Sequence, residues 1–425
     1  MAGAAPLPPP SRQTGALSHL RVLDLSRVLA GPWCSQNLAD MGADVIKIEK
    51  PGTGDDTRHW GPPYLDGTDG PTPQASYFAA CNRNKRSVTV DIATPDGQQL
   101  VRDLALQSDV VIENYKTGGL KRYGLDYDAL AALNPRLVYC SITGFGQTGP
   151  YAARPGYDLL VQAMSGLMSI TGQPDGEPGA GPMRVGVAVI DVFTGMYATT
   201  AILGAIEARH HTGRGQRIDI ALLDVAMAVL ANQGAGYLNA GVVPSRQGNV
   251  HPSVVPYQDF PTADGDMLLA IGNDGQFARF CEVADVDWAR DARYTTNSSR
   301  VTHRDTLIPA MSAITRTRPT AEWIRLLEAA TVPCGPINDI GQAFADPQVQ
   351  ARGLRVEQYR YAAGEGATDP VNRVCTTASP LRLQDTPPTL RHAPPALGQH
   401  TEEVLRECLG LDADAVAGLR AKGVL

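Results

Sequence analysis

Between residues 20 and 143, short apolar runs alternate with longer amphipathic stretches. Residues 20–26 (LRVLDLS), 43–49 (ADVIKIE), 86–92 (RSVTVDI), 108–114 (SDVVIEN) and 137–143 (LVYCSIT) read as strands. Residues 31–42 (GPWCSQNLADMG), 95–107 (PDGQQLVRDLALQ) and 126–135 (DYDALAALNP) carry helical periodicity. Strands separated by helical stretches of roughly 10–15 residues predict an α/β fold built on a mostly parallel sheet. Beyond that region, residues 159–171 read as a helix and residues 172–186 as a Gly/Pro-rich loop. Residues 191–211 carry small and apolar side chains on most sides, the pattern of a buried helix. A mixed α/β segment, a Pro-rich stretch over 385–399 and a helical tail complete the chain, and no internal repeat is visible.

Composition narrows the class. A chain of 425 residues is long for one core and predicts two or three domains. A hydrophobic content of 43% with 19% charged residues is that of a globular protein, and no apolar run in this reading reaches the ~20 residues of a membrane helix. The net charge of −7 argues against general nucleic-acid binding, which needs a basic face. A small phosphorylated ligand stays open, because a few local cations and helix N-termini suffice for it. The seven cysteines (Cys34, Cys81, Cys140, Cys281, Cys334, Cys375 and Cys408) include no C-x-x-C pair, which suits a reducing, cytoplasmic setting and disfavours zinc or disulfides. The eight histidines form no H-x-x-x-H or H-E-x-x-H pattern, so no metal is expected. The Pro/Ala-rich opening has neither a signal-peptide core nor transit-peptide character; residues 1–18 read as a flexible tail.

Residues 144–149, GFGQTG, follow a strand and invite a dinucleotide-binding reading. Such a fingerprint needs a helix starting inside the motif and an acidic residue ~20 positions later at the end of the next strand. Here Pro150 follows the last glycine, YAARPG is turn sequence, and no strand-terminal acid stands at that spacing. The first β-α turn, LSRVLAGPW, holds Gly31 alone. These glycines are better read as permitting close backbone approach. An NAD(P)-dependent oxidoreductase using this loop remains an alternative from another class.

Several stretches together resemble the class III CoA-transferases of the CaiB/BaiF type. They are LDLSRVLAGPWCSQNLADMGADVIKIEKPGTGDDTR, NRNKRSVTVD, VIENYKTGGLKRYGL, NPRLVYCSITGFGQTGP, GVAVIDVFTGMYA, TGRGQRIDIALLD and LGQHTEEVL. The resemblance runs from about residue 20 to the C-terminus. It implies a Rossmann-like large domain made from both chain ends (19–225 and 336–425), a smaller inserted domain (226–335), and a homodimer of two chains threaded as interlocked rings. It also implies coenzyme A and acyl-CoA as substrates, with no permanently bound cofactor. Within the family, GDDTRHWGPPY, SGLMSITG, VPYQDF and CGPIND are most similar to the branch that moves CoA from succinyl-CoA to glutarate. An acyl-CoA racemase, or a different acceptor, is the alternative inside the family.

The family nucleophile is an aspartate, and the resemblance places it at Asp191. A carboxylate suits this chemistry because it attacks a thioester to form a mixed anhydride. Read from position alone, Asp191 is also a candidate helix N-cap, and a helix N-terminus favours the ionised form. Positions matching family coenzyme contacts are Leu29, Ala30, Lys50, Val90, Asp91, Ile92, Ala93, Asn114, Tyr115, Lys116, Arg122, Pro155, Gly156, Tyr157 and Asp158. The resemblance makes Lys50 and Arg122 the candidate phosphate cations, with Lys116 a weaker third. Three departures matter. Tyr157 stands where the racemase branch has histidine, which breaks its His/Asp pair and leaves Tyr157 to line an acyl pocket. Leu29 replaces the first-turn glutamine of the formyl-CoA branch, and the glycine run of that branch is reduced to Gly248. For a dicarboxylate, Arg27, Arg184 and His251 are the candidates to hold the distal carboxylate.

Overall fold

The computed structural model of the chain describes residues 15–65, 74–360 and 372–425. It divides into two compact units, one of residues 1–165, 185–235 and 348–425, the other of residues 166–184 and 236–347. The large unit is built on six strands: β1 (Arg21–Asp24), β2 (Asp44–Glu49), β3 (Lys85–Thr89), β4 (Val110–Glu113), β5 (Val138–Thr143) and β6 (Arg217–Ala221). Their order is β3-β2-β1-β4-β5-β6, and every pairing is parallel. All five strands expected from the pattern are present. The sixth was missed because RIDIA is short and interrupts its apolar residues with Arg217 and Asp219.

Leu23, Ile46, Val88, Val111 and Tyr139 from five strands form one core with Val101 and Leu104 of the helix Pro95–Leu106. Val404 and Leu405 of the helix Thr401–Leu409 belong to the same core, so the C-terminal segment packs on the large unit. The C-terminal Val424 carbonyl accepts from Asp91 N–H at 2.7 Å. Residues 1–14 of the expected tail lie outside the described residues. Residues 15–18 are packed rather than loose: Leu17 is buried and its N–H donates to the Met41 carbonyl at 2.8 Å.

The expectation that no run has the length of a membrane span is corrected by the helix Val189–Thr212. Its 24 residues suffice for a span by length and composition alone. Here one face of it belongs to the core while Phe193, Met196 and Tyr197 are exposed, so the helix expected to be buried on most sides is only half-buried. Ile190, Ala198, Ile202 and Ile206 are buried, and it packs on the helix Ala30–Asp40 and on β5 and β6.

Ionic groups are buried around the carboxyl ends of β1 and β2, with Lys85 reaching in from the start of β3. Lys85 Nζ lies 3.1 Å from Asp24, Lys47 Nζ 2.9 Å from Asp55, and Arg58 2.7 Å from Glu49. Burial alone would raise the Asp24 carboxyl, but Lys85 and Lys47 override it and hold it at about 2. Burying single ions costs several kcal/mol unless they are paired and hydrogen-bonded. Here Lys47 also donates to the Ser26 carbonyl at 2.8 Å and Lys85 to the Pro32 carbonyl at 2.9 Å. The network therefore fixes the turn between β1 and the helix that follows it.

The small unit has its own antiparallel sheet of β7 (Tyr257–Pro261), β8 (Asp266–Ala270) and β9 (Cys334–Pro336), packed on Phe277, Phe280 and Trp323. The unit limits at 236 and 347 differ from the expected 226 and 335. Residue 226 falls inside the helix Leu222–Ala228 of the large unit, and residue 335 inside β9. Residues 172–183 join this unit through contacts distant in sequence: Gly248 N–H donates to the Gly172 carbonyl at 3.1 Å, and Arg246 Nε to the Gln173 carbonyl at 3.1 Å. β10 (Arg355–Tyr359) and β11 (Arg373–Thr377) pair antiparallel within the large unit.

Candidate active site

The strand order reverses between β1 and β4. In open α/β sheets, the crevice outside the carboxyl ends at such a point is where ligands bind. A cavity of about 190 Å³ lies there. The turn after β1 supplies Arg27, Val28, Leu29 and Ala30; the segment after β4 supplies Asn114, Tyr115 and Lys116; Pro155, Gly156 and Tyr157 close another side. Asp191, in the first turn of the helix Val189–Thr212, opens into the same space. A second cavity of about 510 Å³ is lined by Lys50 and by Val90, Asp91, Ile92 and Ala93 after β3, with Lys47, His59 and Tyr123. The two share Arg27, Asp56 and Tyr115.

Two residues expected at the coenzyme site stand behind these walls. Arg122 stacks 4.5 Å over the ring of Tyr123, which is itself a wall of the larger cavity. Asp158 is buried. Arg184 and His251 belong to the small unit; the His251 ring packs 5.4 Å from that of Tyr257, and its Nδ1 accepts from Ser253 N–H at 3.1 Å.

The GFGQTG segment has a geometry unlike a nucleotide fingerprint. No helix begins within it; the next one starts at Asp158. Gly144 lies directly against Gly156: a Cβ on Gly144 would sit 2.5 Å from the Gly156 Cα. Both glycines line the smaller cavity, so their contact sets its wall.

The family model described as CoA-transferase family III matches residues 17–401. The chain is a member of CoA-transferase family III. It is 52% identical over 392 residues to a succinate–glutarate CoA-transferase of Agrobacterium fabrum, covering 92% of this chain and 95% of that one. It is 41% identical over 411 residues to the human succinyl-CoA:glutarate CoA-transferase, covering 96% and 90%. Among solved structures, a CaiB/BaiF family protein from Brucella suis superposes with a TM-score of 0.82 at 45% identity, covering 93% of this chain and all of that one.

In this family III chain Asp191 is not the N-cap of its helix. That position is Ala188, which offers no capping side chain. Asp158 takes the role from another helix: its Oδ1 accepts from Ile190 N–H at 2.8 Å and from Asp191 N–H at 3.2 Å. Its other oxygen accepts from Gln162 Nε2 at 2.5 Å, and Gln162 Oε1 accepts from Val185 N–H at 3.0 Å. Asp158 thus fixes the turn that presents Asp191 and places a second carboxylate beside it. Burial, with the Asp158 charge added, raises the Asp191 carboxyl to about 7. The expected helix-terminus effect is outweighed, because Asp158 already occupies the N–H groups that would have favoured the anion.

A nucleophilic carboxylate must be ionised to attack. Activity of the free enzyme should therefore rise with pH through about 7 and level off above it. Asp158→Asn keeps an acceptor for the helix N–H groups and removes the like charge. We expect it to move the acidic limb of the kcat/KM profile down by about one pH unit, read by steady-state rates between pH 5 and 9. An unmoved limb would exclude an electrostatic influence of Asp158 on Asp191.

Two further residues were invisible to sequence reasoning. Tyr77 has its phenol pushed up to about 12 by burial and then by the charge of Asp191, which places it in the same electrostatic field; its ring meets Trp60 edge-on at 5.5 Å. Val28 has φ 71°, a left-handed conformation that costs a β-branched residue about 1–3 kcal/mol. Its N–H donates to Asp55 Oδ1 at 3.2 Å, which ties the strained turn to the buried ionic network. No spacing or motif signals either one.

Proposed function

We propose that this CoA-transferase moves CoA from succinyl-CoA to a small dicarboxylate such as glutarate, with Asp191 as the covalent nucleophile. The observation that supports it most is the placement of Asp191 in a small chamber at the sheet's switch point, sharing a wall with a larger cavity edged by Lys50. The strand order 3-2-1-4-5-6 is that of doubly wound nucleotide-binding sheets, which supports the Rossmann-like reading. The adenosine phosphates of CoA lie in the larger cavity against Lys50 and the Val90–Ala93 loop, with Arg122 behind. The pantetheine arm runs past Asn114, Tyr115 and Lys116 toward Leu29, Ala30 and the Pro155–Asp158 segment. The acyl chain meets Tyr157.

An Asp191 oxygen bonds to the thioester carbonyl carbon, the C–S bond breaks, and CoA leaves as the thiolate. The thiolate then attacks the aspartyl carbonyl of the anhydride, expelling succinate and leaving an aspartyl-CoA thioester. The acceptor carboxylate attacks that thioester and releases the thiolate again. Thiolate attack on the acceptor carbonyl completes the new acyl-CoA and restores the Asp191 carboxylate. The first turn of the helix Ala30–Asp40 borders the chamber, and its N-cap Leu29 has no side-chain cap. Its N–H groups suit an anionic oxygen of the tetrahedral intermediates.

The homodimer belongs to the same proposal. Tyr157, Leu159, Phe193, Met196, Tyr197 and Met227 of the large unit are exposed. Apolar groups in that number support a surface that a second chain covers. A cytoplasmic location fits the scattered, unpaired cysteines. The racemase alternative is disfavoured by Tyr157, which cannot serve as the histidine base of that branch. Incubation with succinyl-CoA and a panel of mono- and dicarboxylic acids, read by mass spectrometry of the new thioesters, tests the reading. Glutaryl-CoA should form fastest, whereas turnover confined to monocarboxylates or α-epimerisation without exchange would contradict it.

A further inference from the structure

Three residues, Arg27, Asp56 and Tyr115, line both cavities. The main chain of Arg27 is pinned by a single amide: Asn114 Oδ1 accepts from Arg27 N–H at 2.9 Å, and Asn114 Nδ2 donates to the Arg27 carbonyl at 2.6 Å. The freedom of Arg27 is therefore in its side chain. That guanidinium pairs with Asp56 at 3.1 Å and lies 5.3 Å from the centre of the Tyr115 ring. The side chains of the pair are 46% and 49% exposed, and ion pairs this exposed are weak and open readily.

We propose that the Arg27–Asp56 pair, backed by Tyr115, is a latch across the passage between the two chambers, opened by the pantetheine arm of the incoming acyl-CoA. The inference rests on the coenzyme placement given under Proposed function. Between a ligand anchored beside Lys50 and the Asp191 carboxylate stand the three residues common to both cavities. Asn114 holds the Arg27 backbone still while the side chain swings, so the turn that carries Leu29 and Ala30 is undisturbed. A weak, solvent-facing pair suits such a duty, since it spans the shared wall when no coenzyme is bound and yields to the arm without a large barrier. Arg27, one of three candidates for the distal carboxylate, is thereby assigned to the path of the coenzyme.

The test uses the full-length chain with Asp191→Ala, in which CoA binds without reacting, and follows binding by stopped-flow tryptophan fluorescence. Adding Arg27→Met or Asp56→Asn should raise both the association and the dissociation rate constants roughly two- to fivefold, the range set by an exposed ion pair. The dissociation constant should stay within about twofold, and the double variant should be no faster than either single one, because both remove the same interaction. Unchanged rates in both variants would overturn the latch. A dissociation constant weakened more than about tenfold by Arg27→Met alone would also overturn it and make Arg27 a phosphate-binding cation. With Asp191 restored, an effect confined to the acceptor KM would return Arg27 to the distal carboxylate and refute the gate. Failure of the Asp191→Ala parent itself to bind CoA is a separate result, which removes the coenzyme placement and the latch with it.

Discussion

Asp191→Ala should lower transferase turnover by at least about four orders of magnitude, the scale seen when a covalent nucleophile is deleted, while CoA binding stays within about threefold. The asymmetry follows from position. Asp191 borders the smaller chamber alone, whereas Lys50 and the Val90–Ala93 loop line the larger one. A companion variant separates chemistry from folding. Burial, with the Asp158 charge added, raises the folded-state carboxyl to about 7 from the ordinary aspartate value of 3.8, so the native state holds its proton more tightly than the unfolded chain. A raised acid costs stability progressively as pH climbs from the unfolded to the folded value. Asp191→Asn, which never ionises, should therefore be more stable than wild type at pH 8, by about 2 kcal/mol or more. That gap should close as the pH falls toward 4. Calorimetric melting at pH 4, 6 and 8 reads the trend, and equal stability at every pH would show that burial does not disfavour the anion.

Gly144→Ala should damage the chamber severely for a single added methyl. The new Cβ would lie 2.5 Å from the Gly156 Cα and 2.9 Å from its nitrogen, against backbone that no rotamer change can move aside. Gly156→Ala meets Gly144 Cα at 2.4 Å, so each substitution should reproduce the other. Overpacking of this kind costs about 1–3 kcal/mol, and here it displaces a wall shared with Asp191. A fall in kcat/KM of at least about tenfold is expected, because small misplacements at a reacting centre cost up to about that much and more. Gly418→Ala, in a helix with nothing within 4 Å of the added carbon, is the control and should be neutral or slightly stabilising. Wild-type kinetics in Gly144→Ala would mean the two segments separate at no cost.

Much of the large unit could be read from the chain because its elements are local. The five strands from β1 to β5 are apolar runs bounded by turns, and helices such as Pro95–Leu106 carry their own start signals, Thr94 capping Gly97 N–H at 3.0 Å. The edge strand β6 escaped because alternating charge over five residues leaves almost no apolar signal. The predicted helix over 159–171 is interrupted because Gly166 takes φ 90°, a backbone state invisible in the apolar pattern around it. The chamber itself was legible only through motif resemblance. Leu29, Asn114, Gly156 and Asp191 meet because strand order brings together segments more than 150 residues apart, and no periodicity encodes that. Electrostatic detail was less legible still. The capping of the Asp191 helix by Asp158, across 32 residues of chain from Ile190, and the field that Tyr77 feels exist only once the helices are packed.

The most direct test of the central proposal is chemical trapping. Wild-type protein is incubated with succinyl-CoA and hydroxylamine, without an acceptor acid, and its peptides are analysed by mass spectrometry. The account predicts a hydroxamate on Asp191 that depends on the thioester and is absent in Asp191→Ala. A hydroxamate on another carboxylate, or none at all from enzyme that transfers CoA at its normal rate once an acceptor acid is supplied, would contradict it.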